Sequence, residues 1–106
     1  MDDITAAELD ELIRSGADVQ LIDVRQPAEY NFARIPGSKL IPLGEILRRM
    51  DEIDATRDTV IHCKMGGRSS QAIHLLRQAG FGGKLRNLRG GITAWSNEVD
   101  PKVPKY

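Results

Sequence analysis

Cysteine is almost absent from this chain of 106 residues: Cys63 stands alone. A single thiol excludes an internal disulfide and any zinc site built from several cysteines. Histidine is scarce too, and His62 and His74 do not make up a metal site. No sign of charge dominates. Lysine plus arginine total 15 and aspartate plus glutamate also 15, so net charge gives no reason to expect binding to nucleic acid or to an anionic membrane. No apolar run approaches the length of a membrane span. The N-terminal residues Met1-Asp2-Asp3 are acidic where a secretory leader would be basic. The expected compartment is the cytoplasm, whose reducing chemistry suits a free thiol. There is no internal repeat, no low-complexity tract and no sign of a second domain.

What is present fits one soluble globular domain over residues 1–106. Hydrophobic residues make up 41% of the chain, and a chain of this length buries roughly two-thirds of its unfolded surface, enough for one core.

The hydrophobic pattern alternates between strand and helix. Thr5 and Glu8 form a capping box. Leu9, Leu12 and Ile13 follow at helical spacing, with Gly16 as the stop. Val19 to Val24 reads as a short buried strand, and Pro27 opens a short helix through Phe32. Ile35-Pro36-Gly37 is a turn, and Lys39 to Ile41 a second strand. Leu43 to Met50 has the spacing of a helix, with Leu43, Ile46, Leu47 and Met50 on one face, and 51–58 is turn-like. Thr59 to His62 is a third strand, β-branched for three residues. Ser69 to Ala79 is a helix ended by Gly80, and Lys84 to Leu88 a fourth strand. Gly90-Gly91 turns into a short helix bearing Ile92 and Trp95, and the tail from Asp100 to Tyr106 is expected to be extended. The fold class this predicts is α/β: a central, mostly parallel sheet with helices on both faces.

In such a sheet the reactive crevice lies beyond the carboxyl ends of the strands. Cys63 follows the third strand directly. The segment Cys63-Lys64-Met65-Gly66-Gly67-Arg68 therefore joins a buried strand to a helix that opens at Ser69. Unpaired N–H groups and the helix dipole make such a loop an anion site. Gly66 and Gly67 allow the backbone to turn N–H groups inward. Lys64 and Arg68 add formal charge. Each effect favours thiolate over thiol, so the loop is expected to lower the Cys63 pKa and make the sulfur nucleophilic. The plain alternative is an inert buried cysteine beside an ordinary Gly-Gly turn. The spacing Cys-x4-Arg-Ser between a β-branched strand and an amphipathic helix favours the reactive reading.

This loop resembles the active-site loop of the rhodanese-type sulfurtransferases. Leu21-Ile22-Asp23-Val24-Arg25 is similar to the family's Asp-Val-Arg strand. Glu29-Tyr30 through Arg34-Ile35-Pro36-Gly37-Ser38 resembles its first signature, with Arg34 where histidine is common. Gly90-Gly91-Ile92-Thr93-Ala94-Trp95 resembles its last. The ending Asp100-Pro101 to Pro104-Lys105-Tyr106 is similar to that of rhodanese domains fused behind adenylating enzymes that act on ubiquitin-like sulfur carriers. Whether the sequence is an excised domain or a free-standing relative stays open.

The resemblance implies a rhodanese-like fold and a sulfur carried as a persulfide on Cys63, the catalytic residue. The sulfur would come from thiosulfate or a desulfurase persulfide and pass to a thiophilic acceptor, in this subgroup a ubiquitin-like sulfur carrier or its adenylating enzyme. No cofactor or metal is implied. Lys64, Met65, Gly66, Gly67, Arg68 and Ser69 would form the binding loop, with Arg68 holding the thiolate or an incoming anion. Asp23 and Arg25 are expected to anchor loops, and Trp95 to pack under the active loop. His62, adjacent to Cys63 on a strand, should point to the opposite face and is expected to be a strand or surface histidine. His74 is expected to be solvated, and Met65 to line the mouth or fill space. Two alternatives remain. A non-catalytic interaction module of the same fold would be expected to have lost the cysteine. A cysteine phosphatase or arsenate reductase would carry a longer loop than the four residues between Cys63 and Arg68, and would need an acid that this loop lacks.

Overall fold

Three β-branched residues, Thr59, Val60 and Ile61, lie at the middle of the molecule because they are covered on both sides. They belong to β4 (Asp58–His62), the central strand of a five-stranded sheet. The computed structural model describes residues 2–106. The elements in chain order are β1 (Asp3–Ile4), α1 (Ala6–Arg14), β2 (Val19–Asp23), α2 (Pro27–Phe32), β3 (Lys39–Leu40), β4, α3 (Gly67–Gln78), β5 (Leu85–Leu88) and α4 (Gly91–Glu98). The sheet order is β1-β5-β4-β2-β3, and every pairing is parallel.

Side-chain alternation along the strands divides the core in two. Ile22, Val24, Ile61, Cys63 and Leu85 face α3, where Ala72, Ile73 and Leu76 meet them. Leu21, Val60 and Leu88 face the other way, toward Leu9 of α1 and Ile92 and Trp95 of α4. Leu76 and Leu9 are both fully buried, and truncating either to alanine would cost about 2–5 kcal/mol in lost burial and cavity formation. α1 starts where the capping box places it. Glu8 N donates to Thr5 Oγ1 at 3.1 Å and Thr5 N donates to Glu8 Oε1 at 2.9 Å. It stops at Gly16, whose φ of 81° lies in the left-handed region.

Three expectations need correction, and one strand, β1, had no sequence signal. It is a two-residue edge strand, defined by pairing with β5: Asn87 N donates to Asp2 O and Arg89 N to Ile4 O. The segment from Leu43 to Met50 is not an α-helix. It is a pair of 3-10 turns, Leu43–Glu45 and Met50–Glu52, with mostly three-residue bonds such as Ile46 N to Leu43 O. Leu43 N is held by Val24 O, so the chain is tied to the sheet edge and winds tightly to bring Ile46 and then Ile53 into the core, leaving Leu47 exposed. α3 begins at Gly67, so Gly67 and Arg68 belong to its first turn and not to the loop. The tail is not simply extended: it turns at Asp100, where Val103 N donates to Asp100 O, and buries Val103.

Candidate active site

Cys63 follows the last residue of β4, and its position is set from behind by backbone bonds. α4 turns its first N–H groups onto the strand end: Ile92 N donates to Cys63 O at 2.9 Å and Thr93 N to Lys64 O at 3.2 Å. This approach needs glycine. A Cβ on Gly91, whose φ is 57°, would lie 2.4 Å from Lys64 O and 2.5 Å from Cys63 O. The glycine pair read as a turn is thus also the clasp that holds the reactive residue.

In front of Cys63 the chain reverses at Gly66, whose φ of 118° no ordinary side chain adopts comfortably. The turn brings Gly66 N to 3.1 Å from Cys63 Sγ. Gly66 O then accepts from Ser70 N at 3.1 Å and starts α3. Ser69 Oγ reaches to 3.4 Å from Sγ. The cysteine is buried, at 1% exposure. Burial pushes the thiol up, but the Ser69 hydroxyl and the N–H groups of Ser69, Gly66 and Met65 outweigh it, and the net direction is down. The geometry is that of a cradle for an anionic sulfur, with N–H groups at the start of a 12-residue helix.

The loop residues divide by role. Met65 is 63% exposed at the rim. Lys64 Nζ sits 4.5 Å above the Tyr106 ring. Arg68 does not touch the sulfur: its guanidinium makes a two-point ion pair with Glu29, at 2.7 and 3.0 Å. Glu29 is held at about 2, chiefly by Arg68. Beside the loop lies an open cleft of about 490 Å³, lined in part by Met65, Gly66, Gly67, Ser70 and Asn87.

Asp23 and Arg25 are fully buried and paired, Arg25 Nη2 to Asp23 Oδ2 at 2.6 Å. Burial raises the Asp23 carboxyl, but contacts from His62 and Arg25 hold it well below the usual range. Arg25 also donates to Ala33 O at 2.6 Å and to Tyr106 Oη at 2.7 Å, and Tyr106 Oη donates to Glu29 Oε2 at 2.8 Å. One continuous network therefore runs from β2 through the tail to Arg68.

His62 faces away from Cys63, as strand alternation requires. It is fully buried and so is not a surface residue: register with Asp23 brings Nε2 to 3.5 Å from Asp23 Oδ2, the outer limit of a hydrogen bond. Trp95 is buried among Leu9, Val60 and Leu88, on the sheet face opposite Cys63. Its link to the loop is the helix that carries it. Arg34 is exposed and stacks on Tyr30 at 4.4 Å. His74 is exposed. Among the described residues no group of histidine, cysteine or acidic side chains is placed to hold a metal ion, and no helix is long and apolar enough to cross a membrane.

Sequence reading missed Asn87, which lies against the loop, and the parts played by Glu29 and Tyr106. The last two sit within quoted motifs, so only their partners were hidden. Asn87 had no local signal.

The chain matches the rhodanese-like domain family over residues 5–98. It is 41% identical over 103 residues to a sulfurtransferase of Allochromatium vinosum, spanning 97% of this chain and 95% of that protein. It is 37% identical over 108 residues to the probable adenylyltransferase/sulfurtransferase MoeZ of Mycobacterium tuberculosis, covering 97% of this chain but only 26% of that protein. In three dimensions it is similar to a rhodanese-like domain protein from Staphylococcus aureus, with a TM-score of 0.84 and 31% identity over 93% of this chain and 95% of that one.

Proposed function

Since the chain belongs to the rhodanese-like domain family, we propose that it is a sulfurtransferase that carries sulfur as a persulfide on Cys63. Family membership and the sulfurtransferase named among its relatives support sulfur transfer in general. The observation that supports the persulfide is the cradle itself: a buried thiol with its pKa lowered and Gly66 N 3.1 Å from the sulfur.

The transfer takes two displacements. Cys63 thiolate attacks the outer sulfur of the donor, either thiosulfate or a protein persulfide. The donor's S–S bond breaks, its electron pair leaves with sulfite or with the donor thiolate, and Cys63-S-S⁻ forms. An acceptor nucleophile then attacks the outer sulfur and Cys63 leaves as thiolate. The attacking thiolate and the persulfide it becomes are both anions, and the loop N–H groups stabilise each of them. The chemistry calls for no metal or organic cofactor. Lys64 is the cation at the loop rim that an anionic donor meets, Arg68 being paired with Glu29, and Met65 lines the mouth. Asp23, Arg25 and Trp95 are supporting residues: the first two hold α2 and the tail, and Trp95 anchors the helix that clasps Cys63. The acceptor in this reading is a ubiquitin-like sulfur carrier, which the resemblance to domains fused behind adenylating enzymes supports.

The test is thiocyanate release with thiosulfate, then with a small alkyl persulfide, as donor and cyanide as acceptor. Turnover with either that is lost in Cys63→Ser supports the reading. No turnover with both donors, in folded protein with reduced Cys63, contradicts it.

A further inference from the structure

We infer that Asn87 is a positioning residue whose side-chain carbonyl competes with the Cys63 sulfur for the single proton of the Ser69 hydroxyl. Asn87 lies on β5 in register with Ile61 and on the Cys63 side of the sheet, at 8% exposure. Its Nδ2 donates to Gly66 O at 3.1 Å. A carbonyl can only accept, so this bond fixes the amide, and Oδ1 must face Ser69.

Ser69 Oγ has three neighbours and one hydrogen. Asn87 Oδ1 is at 2.6 Å, Gly66 O at 3.1 Å and Cys63 Sγ at 3.4 Å. The two carbonyls accept only, and the shortest contact takes the proton. While Asn87 holds it, Ser69 can only accept from sulfur, which suits a neutral Sγ–H. To donate to a thiolate or persulfide anion, the hydroxyl must turn away from Asn87. One serine therefore serves both protonation states of the sulfur: donating to the anion it favours the thiolate, and Asn87 offsets part of that effect by competing for the same proton.

The charged groups around the sulfur do not take part in this exchange. Arg68 is paired with Glu29, Lys64 lies over Tyr106, Asp3 and Arg89, which share the cleft with Asn87, pair with each other at 3.6 Å, and the Asp23–Arg25 pair occupies the other sheet face. α4 presents backbone to the strand end through Gly91, Ile92 and Thr93.

The inference rests on Cys63 as the reacting group, but its test does not require sulfur transfer. The rate of Cys63 alkylation by iodoacetamide is followed against pH, and its midpoint reports the thiol pKa. Asn87→Leu has similar volume and no acceptor, so it frees the Ser69 proton for the thiolate. The midpoint should fall by about 0.7 of a pH unit, the worth of one ordinary hydrogen bond. Asn87→Asp should raise it, by holding the proton more firmly and by adding charge. In a Ser69→Ala background the Asn87→Leu shift should vanish and the Asn87→Asp shift shrink. A midpoint that rises or stays fixed in Asn87→Leu, or shifts that persist undiminished without Ser69, would overturn the inference. A purely structural role for Asn87 would lower the melting temperature and leave these signed shifts absent. Should Asn87→Leu not fold, the Asn87→Asp pair with and without Ser69 decides.

Discussion

Arg68 and Glu29 meet in a two-point ion pair, Nη1 to Oε1 at 2.7 Å and Nη2 to Oε2 at 3.0 Å, that ties the first turn of α3 to α2. Arg68 holds Glu29 at about 2, below its ordinary 4.5. A carboxyl depressed by folding contributes stability in full above its unfolded value and loses it as pH falls through the folded one. The pair's stabilisation should therefore be lost progressively between about pH 4.5 and 2, and Glu29→Gln should flatten that part of the stability curve. Urea midpoints of both proteins across this range check it. The difference should shrink at high salt, since both side chains are partly exposed.

The buried pair beneath responds differently to mutation. Asp23→Ala leaves the Arg25 guanidinium without its carboxylate at zero exposure. It should cost about 3–5 kcal/mol. Replacing both, as Asp23→Leu with Arg25→Met, should cost distinctly less, because no uncompensated charge remains. Chemical denaturation of the single and double variants measures the contrast.

Gly91→Ala places a methyl group within 2.6 Å of the Lys64 and Cys63 carbonyls in a left-handed backbone. Overlap and strain together should cost about 2–4 kcal/mol. Because the displaced atoms belong to Cys63 and Lys64, sulfur transfer should fall further than stability does, even under conditions where the variant is fully folded. Gly82→Ala, with open space at its Cβ position, is the control and should leave both near wild type.

Thr5→Ala removes the hydroxyl that accepts from Glu8 N and should cost about 1 kcal/mol, with transfer unchanged. A thermal melt beside the transfer assay separates this effect from those at the loop.

Much of this was legible in the sequence because it is local. The capping box, the β-branched central strand and the glycine loop each lie within one short stretch of chain, and the alternation of strand and helix predicts a parallel sheet. What escaped depends on residues far apart in the chain. β1 is a strand only because β5 lies beside it. His62 is buried because β2 places Asp23 next to it. Arg68 was expected to address the sulfur, but Glu29, 39 positions earlier, holds it. Asn87 reaches Ser69 across 18 positions with no motif to flag it. The segment after Leu43 had helical spacing, yet over so short a stretch that spacing does not distinguish an α-helix from 3-10 turns.

The most direct test of the persulfide claim is the intact mass of the protein after incubation with thiosulfate or an alkyl persulfide and removal of the donor. A persulfide on Cys63 gives a gain of one sulfur atom, absent in Cys63→Ser and reversed by cyanide with stoichiometric release of thiocyanate. Reversal distinguishes the persulfide from addition of two oxygens, which weigh nearly the same and which cyanide does not remove. An unchanged mass with both donors, in folded protein whose Cys63 still reacts with iodoacetamide, would contradict it.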